Sequence, residues 1–192
     1  DTNSRLCMAS SVAGHKRAFG TDTVPVNYTD LEEADVIVLV GSNLAWCHPV
    51  LFQRILAAKE QRPSMKIITV DPRKTATGKA ADLHLSIRPD GDTALFNGVL
   101  VEIDRRGAVD QKYVNAHVNG FNVSLAMAEI TNSADTGLSD AELRAFYDLW
   151  IGAEKVVTVF SQGVNQSVAG TDKVNAIINC HLATGRIGRP GM

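Results

Sequence analysis

Four short stretches and a cysteine hold the residue types with which this chain could do chemistry. Gly41-Ser42-Asn43 joins a glycine, which lets backbone amides approach a phosphate, to two side chains that can add hydrogen bonds. A helix starting behind it would contribute partial positive charge. A tight turn with a capping residue explains the same three residues equally well, and the G-x-G-x-x-G spacing of a nicotinamide-binding turn is absent. Asp71-Pro72-Arg73 offers a carboxylate for a ribose hydroxyl and a guanidinium to stack on a base or pair with phosphate. The competing reading is a bend set by Pro72 and capped by Asp71. Gly91-Asp92 presents a carboxylate to the paired N–H donors of a guanine, with the glycine allowing close approach. A plain N-cap role for Asp92 is a strong alternative. Gly163, Asn165 and Gln166 make a neutral, donor-rich loop suited to an amide-like ring or an oxyanion, or an ordinary Asn/Gly turn.

The cysteines stand at 7, 47 and 180. Without a Cys-x-x-Cys pair the chain holds no zinc ribbon and no complete iron–sulfur site of its own. A lone cysteine is ordinarily a small buried hydrophobe, and that reading is kept for Cys47 and Cys180. On the residues alone it applies to Cys7 as well. His48, before Pro49, is expected to cap a helix. His15, His84, His117 and His181 have no ligand spacing and are assigned no metal.

These residues need elements to carry them. Residues 34–40 are short, apolar and β-branched, as in a strand buried on both faces. The chain turns at 41–43, and Pro49 opens a helix over 50–60 that stops at Pro63. A second strand covers 66–70. Strand, glycine loop, helix, strand is a βαβ unit. It continues as a third strand at 83–87, a helix from Asp92 to Arg106 with Gly107 as its stop, and a capped helix from Ser139 and Glu142 to Trp150. A fourth strand at 155–160 and a last helix at 171–184, ended by Gly185, complete it. A helix is also expected over 7–19 and a polar surface loop over 132–137. Alternation of this kind predicts an α/β fold: a Rossmann-like, mostly parallel sheet with helices on both faces. The carboxyl ends of the strands, where such sheets bind ligands, then select four places: Gly41 to Asn43, Asp71 to Arg73, Arg88 to Asp92, and Gln162 to Gln166.

The net charge of −2 argues against nucleic acid or an anionic membrane surface as partner. The longest apolar run, interrupted by Asp35 and closed by Gly41, is too short for a membrane span. No basic, apolar leader opens the chain, and widely spaced cysteines in odd number suit a reducing compartment. The chain starts at Asp1 and closes on loop-like residues. It is expected to be one nucleotide-fold domain, 1–192, cut from a longer subunit.

The residues also resemble a family. Asp1-Thr2-Asn3-Ser4-Arg5-Leu6-Cys7-Met8-Ala9-Ser10 is similar to the segment of bacterial nitrate reductases that carries their molybdenum-binding cysteine. Gly163-Val164-Asn165-Gln166-Ser167, Gly170-Thr171-Asp172-Lys173-Val174-Asn175 and Thr184-Gly185-Arg186-Ile187-Gly188-Arg189-Pro190-Gly191 resemble their late motifs. Gly41-Ser42-Asn43, Asp71-Pro72-Arg73 and Gly91-Asp92 look like the loops that hold one guanine nucleotide of the cofactor. The resemblance is to the molybdopterin-guanine-dinucleotide oxidoreductases, and within them to the cytoplasmic, assimilatory nitrate reductases. It implies molybdenum held by two molybdopterin guanine dinucleotides and by the Cys7 thiolate, a soft donor. It implies nitrate as substrate, reduced to nitrite by oxygen-atom transfer. Electrons would come from a donor protein or domain through an iron–sulfur cluster outside this chain, and the remaining domains would be partners. Cys7-Met8 favours nitrate reductase over formate dehydrogenase, whose pattern places histidine after the ligand. Gln162 stands where methionine is common in relatives. A formate dehydrogenase, another oxidoreductase of the family, and a stand-alone nucleotide-binding module are the alternatives.

Overall fold

The computed structural model describes residues 6–192; residues 1–5, the opening of the first motif, lie outside them. Strands β1 (Val36–Val40), β2 (Lys66–Val70), β3 (Leu83–Leu85) and β4 (Val156–Phe160) form a sheet in the order β3-β2-β1-β4. Every pairing is parallel. Val40 lies opposite both Val70 and Phe160, so three strands end level and deliver their following loops to one edge. β1 is buried along its whole length, which is why its sequence is a continuous apolar run without alternation.

Period-two geometry divides β1 between two cores. Val36, Val38 and Val40 join a cluster with α6 (Asp92–Arg105), α9 (Asp140–Gly152) and α11 (Gly170–Ala183). Ile37 and Leu39 join a second cluster with Leu31, Leu44, Phe52 and Ile55. Those residues come from α2 (Tyr28–Glu33), α3 (Leu44–Cys47) and α4 (Pro49–Gln61). Helices therefore cover both faces, as the sequence predicts. α1 (Ala9–Phe19) lies along α11. Gly14 makes room there for the Val174 side chain, and Asn175 Nδ2 donates to Gly14 O at 2.9 Å.

Local chemistry explains most boundaries. Ser139 and Glu142 form the capping box expected for α9; Asn27 and Asp30 form a second one on α2 that sequence reading missed. Pro49 occupies the first turn of α4. Several expectations are corrected. Asp92 is not the N-cap of α6: Gly91 is, without a side-chain cap, and Asp92 is the first helical residue. His48 precedes α4 but its side chain caps nothing. Cys47 is exposed rather than buried, whereas Cys180 is buried as expected. β3 is shorter than expected and ends at Leu85, whose O accepts from Asp71 N; by Arg88 the backbone bonds to Thr136 instead of β2. Residues 132–137 are not a plain surface loop. Ser133–Thr136 is a 3₁₀ turn, Thr136 is fully buried, and its carbonyl accepts from Arg88 N at 2.8 Å. α7 (Gln111–His117) and α8 (Phe121–Glu129) were not anticipated; Asp110 caps the first through Tyr113 N at 2.9 Å. The donor-rich loop after β4 is a single helical turn, α10 (Gln162–Asn165).

Candidate functional site

The sheet order makes the site. The chain runs from β1 outward through β2 to β3, then returns to add β4 on the other side of β1. The loops after β1 and β4 thus diverge at a topological switch point, where open α/β sheets accept ligands. Gly41, with φ +54°, and Gly163 meet there. Gly163 N donates to Gly41 O at 3.1 Å.

Cys7 is brought to the same place from the other end of the chain. Asn165 Nδ2 donates to Cys7 O at 2.5 Å, Gln162 Nε2 lies 3.4 Å from Cys7 Sγ, and Gln166 Nε2 lies 3.7 Å from it. Ser161 Oγ donates to Gln162 Oε1, which turns the amide NH₂ toward the sulfur. The thiol is exposed and faces a largely apolar cleft of about 490 Å³ that also takes in His15, His48, Phe160 and Asn165. Amide donors stand around a sulfur that is open to a ligand.

On the far side of α10 a second cavity, about 440 Å³, opens over the strand ends. Gly41, Asp71, Pro72, Arg73, Asp92, Gly163 and Gln166 line it, so seven of the sequence-selected residues converge. Gln166 links the two, lining this cavity while its Nε2 approaches Cys7 Sγ. Asp71 Oδ1 accepts from Arg73 N at 2.8 Å, an Asx turn that ends β2. The Arg73 guanidinium, 78% exposed, lies with its Nε 3.7 Å from Asp71 Oδ1 at the cavity. Arg88, within the strand-end stretch that the sequence points to, adds a second guanidinium to the lining.

Cys7 and Asn165 line the first cleft, and three other selected residues line neither space. Asn43 Oδ1 accepts from Thr77 Oγ1 at 2.9 Å, and Thr77 Oγ1 accepts from Ala45 N at 3.0 Å, which ties α3 to α5 (Ala76–Lys79). Gly91 packs against Thr136, whose Cα a Cβ would approach to 3.0 Å. Ser42 is 5% exposed and its Oγ is buried with no partner.

Sequence reading also missed Lys173. Its ammonium sits 2.8 Å from Asp90 Oδ1 and 2.9 Å from Asp92 Oδ2. The signal was present: Lys173 shares the buried face of α11 with Ile177 and Cys180, and a lysine on an apolar face implies a carboxylate partner. Gln162 falls in a strand-end stretch that the sequence points to, but its contact with Cys7 needed the fold.

The sequence model described as Molybdopterin oxidoreductase matches residues 1–192. The chain belongs to the molybdopterin oxidoreductase family. Among its relatives in that family, a nitrate reductase of Shewanella frigidimarina is 52% identical over 197 residues, taking in 100% of this chain and 21% of that protein. A nitrate reductase of Klebsiella oxytoca is 46% identical over 195 residues, 100% of this chain and 22% of that protein. The chain thus spans about a fifth of the length of these relatives. The same fold occurs in acetylene hydratase from Pelobacter acetylenicus, with TM-score 0.78 over 94% of this chain and 25% of that one, at 20% identity. At that identity the likeness concerns fold alone.

A molybdenum–pterin cofactor is what this molybdopterin oxidoreductase family implies, and the residues fit it. A soft sulfur with amide donors and a strand-end cavity with guanidinium groups are the parts that a metal with a polar, anionic tail needs. Among the described residues no group of three His, Cys, Asp or Glu stands together for a metal. No helix among them is long and apolar enough to cross a membrane.

Proposed function

We propose that this chain is the nucleotide-fold part of a longer assimilatory nitrate reductase. In this reading Cys7 ligates molybdenum, and the strand-end cavity takes one guanine nucleotide of a bis(molybdopterin guanine dinucleotide) cofactor. The observation that carries it is the meeting of Cys7 Sγ with Gln162 and Gln166 at the switch point, beside the cavity lined by Asp71, Arg73 and Asp92.

When bound, the cofactor supplies oxygen-atom transfer: nitrate loses one oxygen and leaves as nitrite, and electrons and protons carry that oxygen away as water. The chain's own residues bind and orient. Asn165 holds the Cys7 backbone, and the two glutamine amides donate to its sulfur. Gly41 and Gly163 let the two strand-end loops cross in backbone contact, which shapes the cavity that both line. Arg73 and Arg88 pair with phosphate; Asp71 accepts from ribose; Asp92 accepts the N–H edge of guanine. Electrons arrive through an iron–sulfur cluster and a donor supplied by the rest of the protein. A cytoplasmic location belongs to the same reading and rests on the likeness of residues 163–192 to assimilatory enzymes.

The test is made on the full-length protein. Molybdenum per chain and nitrate reduction with reduced viologen are measured for wild type, Cys7→Ala and Cys7→Ser. Both substitutions are expected to lower metal content and abolish turnover. Unchanged molybdenum in Cys7→Ala removes the ligand assignment. Formate oxidation in place of nitrate reduction by the wild type moves the protein to another branch of the family.

A further inference from the structure

Lys173 enters the strand-end cavity from α11 with its side chain only 2% exposed. A lysine this deep persists only when its charge is matched. Burial lowers its pKa, but the hydrogen bonds to Asp90 and Asp92 outweigh that and hold it above its ordinary value, so the ammonium stays charged. Asp90 reaches it from a left-handed backbone, φ +68°, a conformation that aspartate accepts more readily than most L residues. The Asp90 side chain is 73% exposed, so a surface carboxylate is turned onto a buried cation. Asp92, on the first turn of α6, spends no oxygen on capping. Its Oδ2 takes Lys173 Nζ. Among the described residues Oδ1 has no protein donor, and Asp92 lines the cavity.

We propose that Lys173 is a positioning residue for base recognition. Gripped by Asp90, it fixes the Asp92 carboxylate so that Oδ1 and the spare lone pair of Oδ2 face the cavity as a paired acceptor. The class of group such an acceptor selects is a ring amide N–H with an adjacent exocyclic amine, the edge of guanine. The inference rests on the reading above, in which this cavity receives a guanine nucleotide. It adds that selectivity for the base depends on a residue that does not touch it.

The experiment uses cofactor-free full-length protein titrated calorimetrically with GMP and with IMP, which lacks the exocyclic amine. Wild type, Asp92→Asn, Lys173→Met and Asp90→Asn are compared. Wild type is expected to prefer GMP by about tenfold, the value of one well-placed buried hydrogen bond. Lys173→Met and Asp90→Asn are expected to weaken GMP more than IMP, shrinking that preference. A purely structural role for Lys173 lowers both affinities equally, and that result overturns the proposal. Equal binding of GMP and IMP by the wild type overturns it as well. If Lys173→Met does not fold, Asp90→Asn decides, since its carboxylate is at the surface; an unchanged preference there refutes the clamp. A preference lost in Asp92→Asn but intact in both other variants removes Lys173 alone. A preference intact in Asp92→Asn removes the guanine reading of the cavity and this inference with it.

Discussion

Gly41 and Gly163 touch backbone to backbone at the ends of adjacent parallel strands. A Cβ on Gly41 would stand 2.7 Å from Gly163 Cα, and one on Gly163 would stand 2.6 Å from Gly41 Cα. Neither atom can yield, because both belong to main chain held by β1 and β4. Gly41→Ala adds the cost of a left-handed backbone to that overlap. Either alanine is expected to destabilise the fold by about 1–3 kcal/mol and to widen the switch point. Chemical denaturation with wild-type slope measures the first effect, and cofactor content the second. Alanine at Gly163 with unchanged midpoint and unchanged cofactor would show that the crossing is loose.

The cysteines are expected to separate by reactivity. Cys7 and Cys47 are exposed and Cys180 is buried, its thiol pushed well up by burial. Alkylation of the native protein followed by peptide mapping should label the first two and spare the third. Loading with cofactor should protect Cys7 and leave Cys47 labelled. Equal labelling of Cys7 with and without cofactor contradicts its role as ligand.

Arg186 locks the end of α9. Its guanidinium donates to Trp150 O at 3.0 Å, Ile151 O at 3.2 Å and Ala153 O at 2.5 Å, and lies 4.7 Å from the Trp150 ring centre. These carbonyls are the orphan acceptors of a helix C-terminus. Arg186→Met is expected to cost on the order of 3 kcal/mol by leaving them unpaired. Arg186→Lys recovers part of this, because an ammonium cannot span a fork of acceptors. A methionine variant as stable as wild type in urea would rule this lock out.

Acid is expected to weaken the fold through His181. Burial, then the Arg186 charge, push its imidazole from the ordinary 6.5 down to about 4. Its Nε2 lies 2.8 Å from Thr158 Oγ1. Between those values the unfolded chain holds a proton that the folded chain does not, so stability rises with pH across this window. The contribution is complete above 6.5 and is lost as pH falls through about 4; its size is on the order of 3 kcal/mol. Urea midpoints at about pH 7 and about pH 5 measure it. His181→Gln should flatten the difference, and a dependence that survives the substitution assigns it to another group.

By itself the sequence determined the alternation of strands and helices, the strand-end loops and the family. These are legible because a buried run such as Val36–Val40, a capping pair such as Ser139 and Glu142, and a glycine turn are decided within a few residues of chain. Short one-turn helices and the amphipathic pair α7 and α8 were not legible, since weak local preference yields there to packing. Only the tertiary structure decided which loops share a site. Cys7 and Gln162 are 155 residues apart and Asp90 and Lys173 are 83 apart. They meet because β4 inserts beside β1 rather than beyond β3. Strand order is set by how whole faces bury against each other, and no local propensity encodes it.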